Sequence, residues 1–142
     1  MNRDELFSRP IALPPKIFEK GAMEMIYPRD RPLMAIARTV KAHTSADGVV
    51  VIYGQEWSPE VPYYAQRRAV MEPSFVPHAE VIARMGRLLS PQGGYPVEAI
   101  VRCPSAMDRE PEFVRAFAGF DARFPKERIG ECEVYFTAGE GR

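Results

Sequence analysis

The stretch that decides the fold is Val49-Val50-Val51-Ile52-Tyr53-Gly54, which follows the turn-forming residues Ser45 to Gly48. A continuous run of β-branched and aromatic residues is typical of a strand that is buried on both faces, as strands of parallel sheets are. Gly54 ends the run. Because such a strand needs cover on both sides, the stretch predicts an α/β fold built around it.

Regular elements are predicted on both sides of this strand. Upstream, Pro32 suits the first turn of a helix, and apolar residues at helical spacing follow it up to Val40. Downstream, helices are predicted to begin near Pro59, Pro77 and Pro111, and the segments with strand character are 69–71, 97–101 and 131–136. We expect a small Rossmann-like or flavodoxin-like sheet, mainly parallel, of about four strands with helices on both faces. The alternating last segment is expected at the sheet edge.

The N-terminal part of the chain differs from the rest. Several prolines interrupt residues 1–30, and we interpret this segment as an irregular N-terminal extension or linker. Residues 31–142 are interpreted as a single α/β domain, a length that suffices to bury a core.

Composition excludes several classes of partner. Lys plus Arg and Asp plus Glu each number 19, so the formal net charge is zero and no nucleic-acid partner is expected. The longest apolar run, residues 49–53, is far shorter than the roughly 20 residues of a membrane helix. The first residues also do not resemble a signal peptide. As given, the chain is expected to carry no insertion or export signal of its own.

Motifs for a metal, a cofactor or catalysis are not found. His43 and His78 have no companion ligand at zinc-like spacing, and the sequence has neither a nucleophile elbow nor a dinucleotide or phosphate-binding loop. We therefore expect no metal site, no cofactor and no catalytic residue. Cys103 and Cys132 each fall near a predicted strand. Two alternatives stay open for them: two buried free thiols, or one disulfide between neighbouring strands.

The segment 54–68 is the most informative part of the sequence for function. It starts at the carboxyl end of the buried strand, which is where open α/β sheets bind ligands. Its aromatic, acidic, hydroxyl and guanidinium side chains are the candidate binding residues: Glu56, Trp57, Ser58, Glu60, Tyr63, Tyr64 and Arg67. The alternative is structural, with Trp57 and Tyr63 closing the end of the core and Arg67 tying the loop to Glu56 or Glu60.

The same segment resembles the soluble C-terminal region of polytopic membrane glycosyltransferases. These belong to the C-type superfamily, which includes protein mannosyltransferases and aminoarabinose transferases. The shared pattern is Gly-x-[Asp/Glu]-Trp-Ser-x-x-[hydrophobic]-x-Tyr-Tyr-x-x-Arg, and the similar stretch runs from about Pro32 to Pro73. The pattern maps on Gly54, Glu56, Trp57, Ser58, Val61, Tyr63, Tyr64 and Arg67.

This resemblance implies a part in sugar transfer without the catalytic step. Such enzymes take the sugar from a polyprenyl-phosphate donor on the outer side of the bacterial inner membrane. Their catalytic carboxylate lies in a loop between membrane helices, neither of which this sequence contains. The resemblance thus implies a non-catalytic periplasmic domain that assists binding of an acceptor, a sugar or a lipid-linked sugar. Its partner would be the membrane-embedded part of the same parent protein, and a periplasmic location favours the Cys103–Cys132 disulfide.

Two other interpretations remain open at this point. If the chain is complete as given, it would be a free-standing cytoplasmic α/β domain with a binding or regulatory role. Alternatively, it would be a small enzyme that uses the 54–68 segment on a sugar or a phosphorylated metabolite, although no nucleophile–base pair recommends this interpretation.

Overall fold

The computed structural model describes residues 31–55, 58–73 and 75–138, and it contains an open mixed sheet between helices. Along the chain the elements are α1 (Pro32–His43), β1 (Val49–Tyr53), α2 (Glu60–Ala65), β2 (Arg68–Glu72), α3 (His78–Met85), β3 (Val97–Arg102), α4 (Pro111–Arg123), β4 (Lys126–Ile129) and β5 (Cys132–Phe136). A short 3₁₀ helix, Ala106–Arg109, connects β3 to α4. The predicted extension, residues 1–30, lies outside the described residues.

The sheet has five strands in the order β2-β1-β3-β5-β4. β1 pairs in parallel with both β2 and β3, whereas β5 pairs antiparallel with both β3 and β4. The chain therefore leaves β1 for β2 on one side and then crosses over to β3 on the other. The point where the strand order reverses lies between β1 and β3, at their carboxyl ends.

Both faces of the sheet are covered by helices. On one face, α1 and α2 contribute buried side chains such as Ile36, Val40 and Val61 to the core around β1. On the other face, α3 and α4 contribute Val81, Phe113 and Phe117. Every residue of β1 is buried, as the run of β-branched residues predicts. Within the described part of the chain, no helix is both long and apolar enough to cross a membrane.

The α/β class is confirmed, but two details of the predicted sheet are wrong. The sheet has five strands rather than about four, and it is half antiparallel rather than mainly parallel. The missed strand is β4, because Lys126-Glu127-Arg128 has no apolar alternation and its side chains are exposed at the sheet edge. Gly130, with φ of 59°, turns β4 into β5, as type II′ hairpins place a glycine.

This hairpin also changes the position of β5. The sequence predicts the alternating segment 131–136 at the edge of the sheet, which is wrong. The strand it forms, β5, lies between β3 and β4, and its residues Cys132, Val134 and Tyr135 are buried. Alternation of polar and apolar residues does not identify an edge strand, because polar side chains of an inner strand can also pair with polar side chains of the next strand. Lys126 on the edge strand, for example, contacts Glu133 on β5 at 2.9 Å.

Cys103 and Cys132 form a disulfide that extends the pairing of β3 with β5. The last paired residues of the two strands are Arg102 and Glu133, so the cysteines stand opposite one another at the next position. Their Cα atoms are 4.2 Å apart and their Sγ atoms 2.08 Å. The bond fixes the carboxyl end of β3 to the start of β5.

Gly54 is required where β1 ends. Its φ is 87°, a left-handed value that side chains other than glycine adopt only with strain. A Cβ atom at this position would also overlap the backbone carbonyl of Cys103, because the two chains approach closely after the hydrogen bond from Cys103 N to Tyr53 O. The glycine thus allows the ends of β1 and β3 to come together.

We expect Gly54→Ala to lower the free energy of unfolding by about 2–4 kcal/mol, since it adds a steric overlap to an unfavourable φ. Gly94→Ala is the matched control, because Gly94 has a φ of 84° but open space around its Cα. The control should cost only about 1 kcal/mol. Equal losses in chemical denaturation would contradict the close approach.

Candidate functional site

The segment 54–68 runs from the carboxyl ends of the parallel strands back to their amino ends. It leaves the carboxyl end of β1 at Gly54, passes Ser58, and forms α2 from Glu60 to Ala65. β2 then starts beside the amino end of β1, where Arg68 is in register with Val49. The candidate residues that the structure describes are therefore spread from Ser58, before α2, to Arg67, after it. Glu56 and Trp57 lie outside the described residues.

Tyr63 and Tyr64 lie on the outer surface of α2. Their rings contact one another edge to face, with centroids 5.1 Å apart. Tyr63 is 74% exposed, so the alternative in which it closes the end of the core is wrong. The pair forms an exposed aromatic surface, and the buried face of α2 is made instead by Val61 and Ala65.

Arg67 has a structural role away from the carboxyl edge. Its guanidinium donates five hydrogen bonds, to the hydroxyl of Thr44 and to four backbone carbonyls. The carbonyls belong to the C-terminal ends of two helices: Lys41 and Thr44 at the end of α1, and Ala65 and Gln66 at the end of α2. A cation is favourable there because the carbonyls at a helix C-terminus carry partial negative charge.

A cleft of about 280 Å³ lies at the carboxyl ends of the three parallel strands. Gly54 from the end of β1, Glu72 from the end of β2 and Ser105 after β3 all line it. His78 from the start of α3 and Met107 from the 3₁₀ helix line the cleft as well. This is the point where the strand order reverses, which is the usual ligand position in open α/β sheets.

Glu72 is the most buried charged side chain of the cleft. Its side chain is 8% exposed, and its carboxylate lies 3.4 Å from the guanidinium of Arg84, whose side chain is half exposed. Burial raises the pKa of Glu72, and the charge of Arg84 offsets part of that effect. Burial, followed by the charge of Glu72, also raises the pKa of Tyr53, which keeps its phenol neutral beside the carboxylate.

His78 and Glu110 form a second polar pair beside the cleft. The imidazole Nδ1 lies 2.7 Å from the Glu110 carboxylate, and this contact links the start of α3 to the residue before α4. A carboxylate at Nδ1 fixes the orientation of the ring and leaves Nε2 as the nitrogen that would meet a ligand. The contact therefore gives the cleft an oriented hydrogen-bonding group.

Ser105 is held by a capping box at the start of the 3₁₀ helix. Its hydroxyl accepts a hydrogen bond from Met107 N at 3.2 Å, and its backbone N–H donates to Asp108 at 2.9 Å. Asp108 is in turn bound by Arg102 at 2.8 Å. These contacts give Ser105 a structural function and hold the loop after β3 in place. Two residues before Ser105, the disulfide at Cys103 anchors the same loop.

The cleft can bind a small molecule through hydrogen bonds. Its polar groups are a buried carboxylate, an oriented imidazole and a hydroxyl, and its apolar wall includes Val76 and Val81. Among the described residues, no three His, Cys, Asp or Glu side chains are grouped so that they could hold a metal ion.

Sequence reasoning missed Glu72, His78 and Glu110 as site residues. The rule that ligands bind at carboxyl ends of strands was applied to β1 alone, whereas Glu72 ends β2. The contact between His78 and Glu110 spans 32 residues of sequence, so no local spacing could have indicated it. Applying the same rule to segment 69–71 would have found Glu72.

Comparison of the chain with protein-family models, with curated proteins and with solved structures finds no match.

We expect Arg67→Ala to lower the free energy of unfolding by about 2–3 kcal/mol, because two helix ends lose their charged donor. Arg68→Ala is the control: Arg68 is exposed, stacks on Tyr95 at 3.7 Å and contacts Asp47 at 3.6 Å. Its loss should cost less than about 1 kcal/mol. Denaturant unfolding that ranks the two variants in the opposite order would show that Arg67 is not a structural residue.

A second expectation concerns pH. Because burial raises the pKa of Glu72 in the folded protein, its stabilising contribution is complete below the ordinary pKa and is lost as pH rises through the raised value. Glu72→Gln should therefore be as stable as the wild type at about pH 4 and more stable at about pH 7.

Unfolding by urea at the two pH values measures this difference. Glu80→Gln is the control, since it removes an exposed carboxylate 3.9 Å from the same Arg84. It should show no such gain at neutral pH. If Glu72→Gln instead loses stability there, the ion pair with Arg84 outweighs the burial of the carboxylate.

Proposed function

We propose that this chain is a non-catalytic extracytoplasmic domain of a membrane glycosyltransferase-like protein, in which it assists binding of an acceptor or a sugar. Under this proposal the transfer from the polyprenyl-phosphate-sugar donor is carried out by the membrane-embedded part of the same protein. That part is the domain's main partner, and the domain lies on the periplasmic side of the inner membrane.

The observation that carries the proposal is the position of Gly54. It is the first residue of the pattern that resembles these glycosyltransferases, and it lines the cleft at the reversal of strand order. Its φ of 87° and its close approach to Cys103 give a physical reason for glycine there. The segment that carries the resemblance thus begins at the place in the fold that is best suited to a ligand.

The disulfide supports the location. Disulfides form and persist in oxidising compartments such as the bacterial periplasm, and they are rare in the cytosol. The Cys103–Cys132 bond anchors the loop that carries Ser105 in the cleft. In the periplasm, this bond would hold the loop that carries Ser105, and with it one side of the cleft, in place.

The test combines the native gene with the thiol state of the protein in cells. We expect the native open reading frame to encode several apolar stretches of roughly 20 residues besides this domain. We also expect Cys103 and Cys132 to react with a maleimide only after reduction, when the cells are first precipitated in acid to preserve the thiol state and the protein is then labelled in denaturant at neutral pH. A Cys103→Ala/Cys132→Ala variant is the labelling control.

The opposite pair of results would contradict the proposal. Thiols that are labelled without reduction, in a protein whose gene encodes no apolar stretch of that length, would favour the free-standing cytoplasmic binding or regulatory domain instead.

A further inference from the structure

The cleft at the ends of β1, β2 and β3 is the right size for a single ring. Its volume of about 280 Å³ lies just below the range of roughly 300–1,000 Å³ that is typical of small-molecule sites. A ligand with two large ring systems would not fit. A six-membered ring with its substituents would fill the cleft and contact all three strand ends.

The charges around the cleft disfavour a negatively charged ligand. Among the described residues that line it, Glu72 carries a charge and none is Lys or Arg. The guanidinium of Arg84 is already paired with Glu72 at 3.4 Å and lies 3.9 Å from Glu80. A phosphate or carboxylate placed in the cleft would therefore meet a buried carboxylate without a free cation to balance it.

The same groups favour a ligand with several hydroxyl donors. A carboxylate accepts hydrogen bonds only, so a ligand that binds Glu72 beside its ion pair with Arg84 must present donor groups. The imidazole of His78 is oriented by Glu110 at 2.7 Å, and its Nε2 offers the ligand one further hydrogen bond of defined direction. Bonds between hydroxyls and a charged acceptor are stronger than neutral ones, and a buried site strengthens them further.

Apolar groups complete the site. Val76, Val81 and Met107 form an apolar wall, against which the C–H face of a ring can pack.

We propose that this cleft binds a hydroxyl-bearing, hexose-sized ring that carries no negative charge, with Glu72 and His78 as its hydrogen-bonding groups and Val76, Val81 and Met107 as its apolar wall. The proposal rests on the binding role proposed above and names the ligand class and the place for it. It places the sugar in the cleft rather than on the exposed Tyr63–Tyr64 surface of α2.

The experiment is a titration of the full chain, labelled with ¹⁵N, with D-glucose, D-mannose and D-galactose and with D-glucose 6-phosphate. We expect at least one neutral hexose to shift the amide resonances of Gly54, His78 and Ser105. The dissociation constant should be on the order of 1 mM, as is usual for so small a ligand. The phosphorylated hexose should bind more weakly than glucose.

Matched variants assign the binding to the cleft. Glu72→Gln should weaken the binding by about tenfold, because it removes the charged acceptor. Glu80→Gln, which removes the exposed carboxylate beside the same Arg84, should leave the affinity unchanged. His78→Gln is a second variant that tests the cleft without altering Glu72. The dispersion of the amide spectrum shows that each variant is folded.

Three results would overturn the proposal: shifts confined to residues 60–66 of α2, tighter binding of the phosphorylated than of the neutral hexose, or no shift with any hexose. The first of these would leave the proposed function intact, since a sugar would still be bound. If the cleft binds a hexose but the protein has free thiols in cells, the extracytoplasmic function is contradicted. The ligand class proposed for the cleft would still stand.

Discussion

The complete burial of β1 is the constraint on which the rest of the structure depends. A strand without an exposed face must be covered by helices on both sides, and a strand with parallel neighbours on both edges must be reached by crossovers. The chain meets both conditions by placing α2 on one face and α3 on the other. The reversal of strand order follows from this arrangement, and with it the cleft where β1 and β3 end.

The polar residues divide between stabilising the fold and lining the cleft. Arg67 joins the C-terminal ends of α1 and α2, and the bond between Cys103 and Cys132 extends the pairing of β3 with β5. Glu72 differs, because burial raises its pKa although Arg84 lies 3.4 Å away. A carboxylate with a perturbed pKa in a cleft is typical of functional sites. His78, oriented by Glu110, lies in the same place.

Sequence patterns predicted the elements whose signals are local. The β-branched run of β1 and the apolar stripe of α1 are sufficient on their own. The run is continuous because both faces of β1 are buried, and the stripe has helical spacing because one face of α1 is buried. The pattern of β4 could not be interpreted in this way, since an edge strand can consist largely of charged residues with exposed side chains. The disulfide stayed one of two alternatives because only the register of β3 with β5 brings the cysteines together. The pairing of His78 with Glu110 could not be predicted for a similar reason, because it joins residues 32 positions apart in the sequence.

Locating a bound hexose by intermolecular nuclear Overhauser effects would show whether a ligand occupies the point where the strand order reverses. The protein would be labelled with ¹³C at its Val and Met methyl groups and at its Tyr rings. Binding at this point predicts contacts from the sugar C–H protons to the methyl groups of Val76, Val81 and Met107. Contacts to the rings of Tyr63 and Tyr64, with none to those methyl groups, would contradict it.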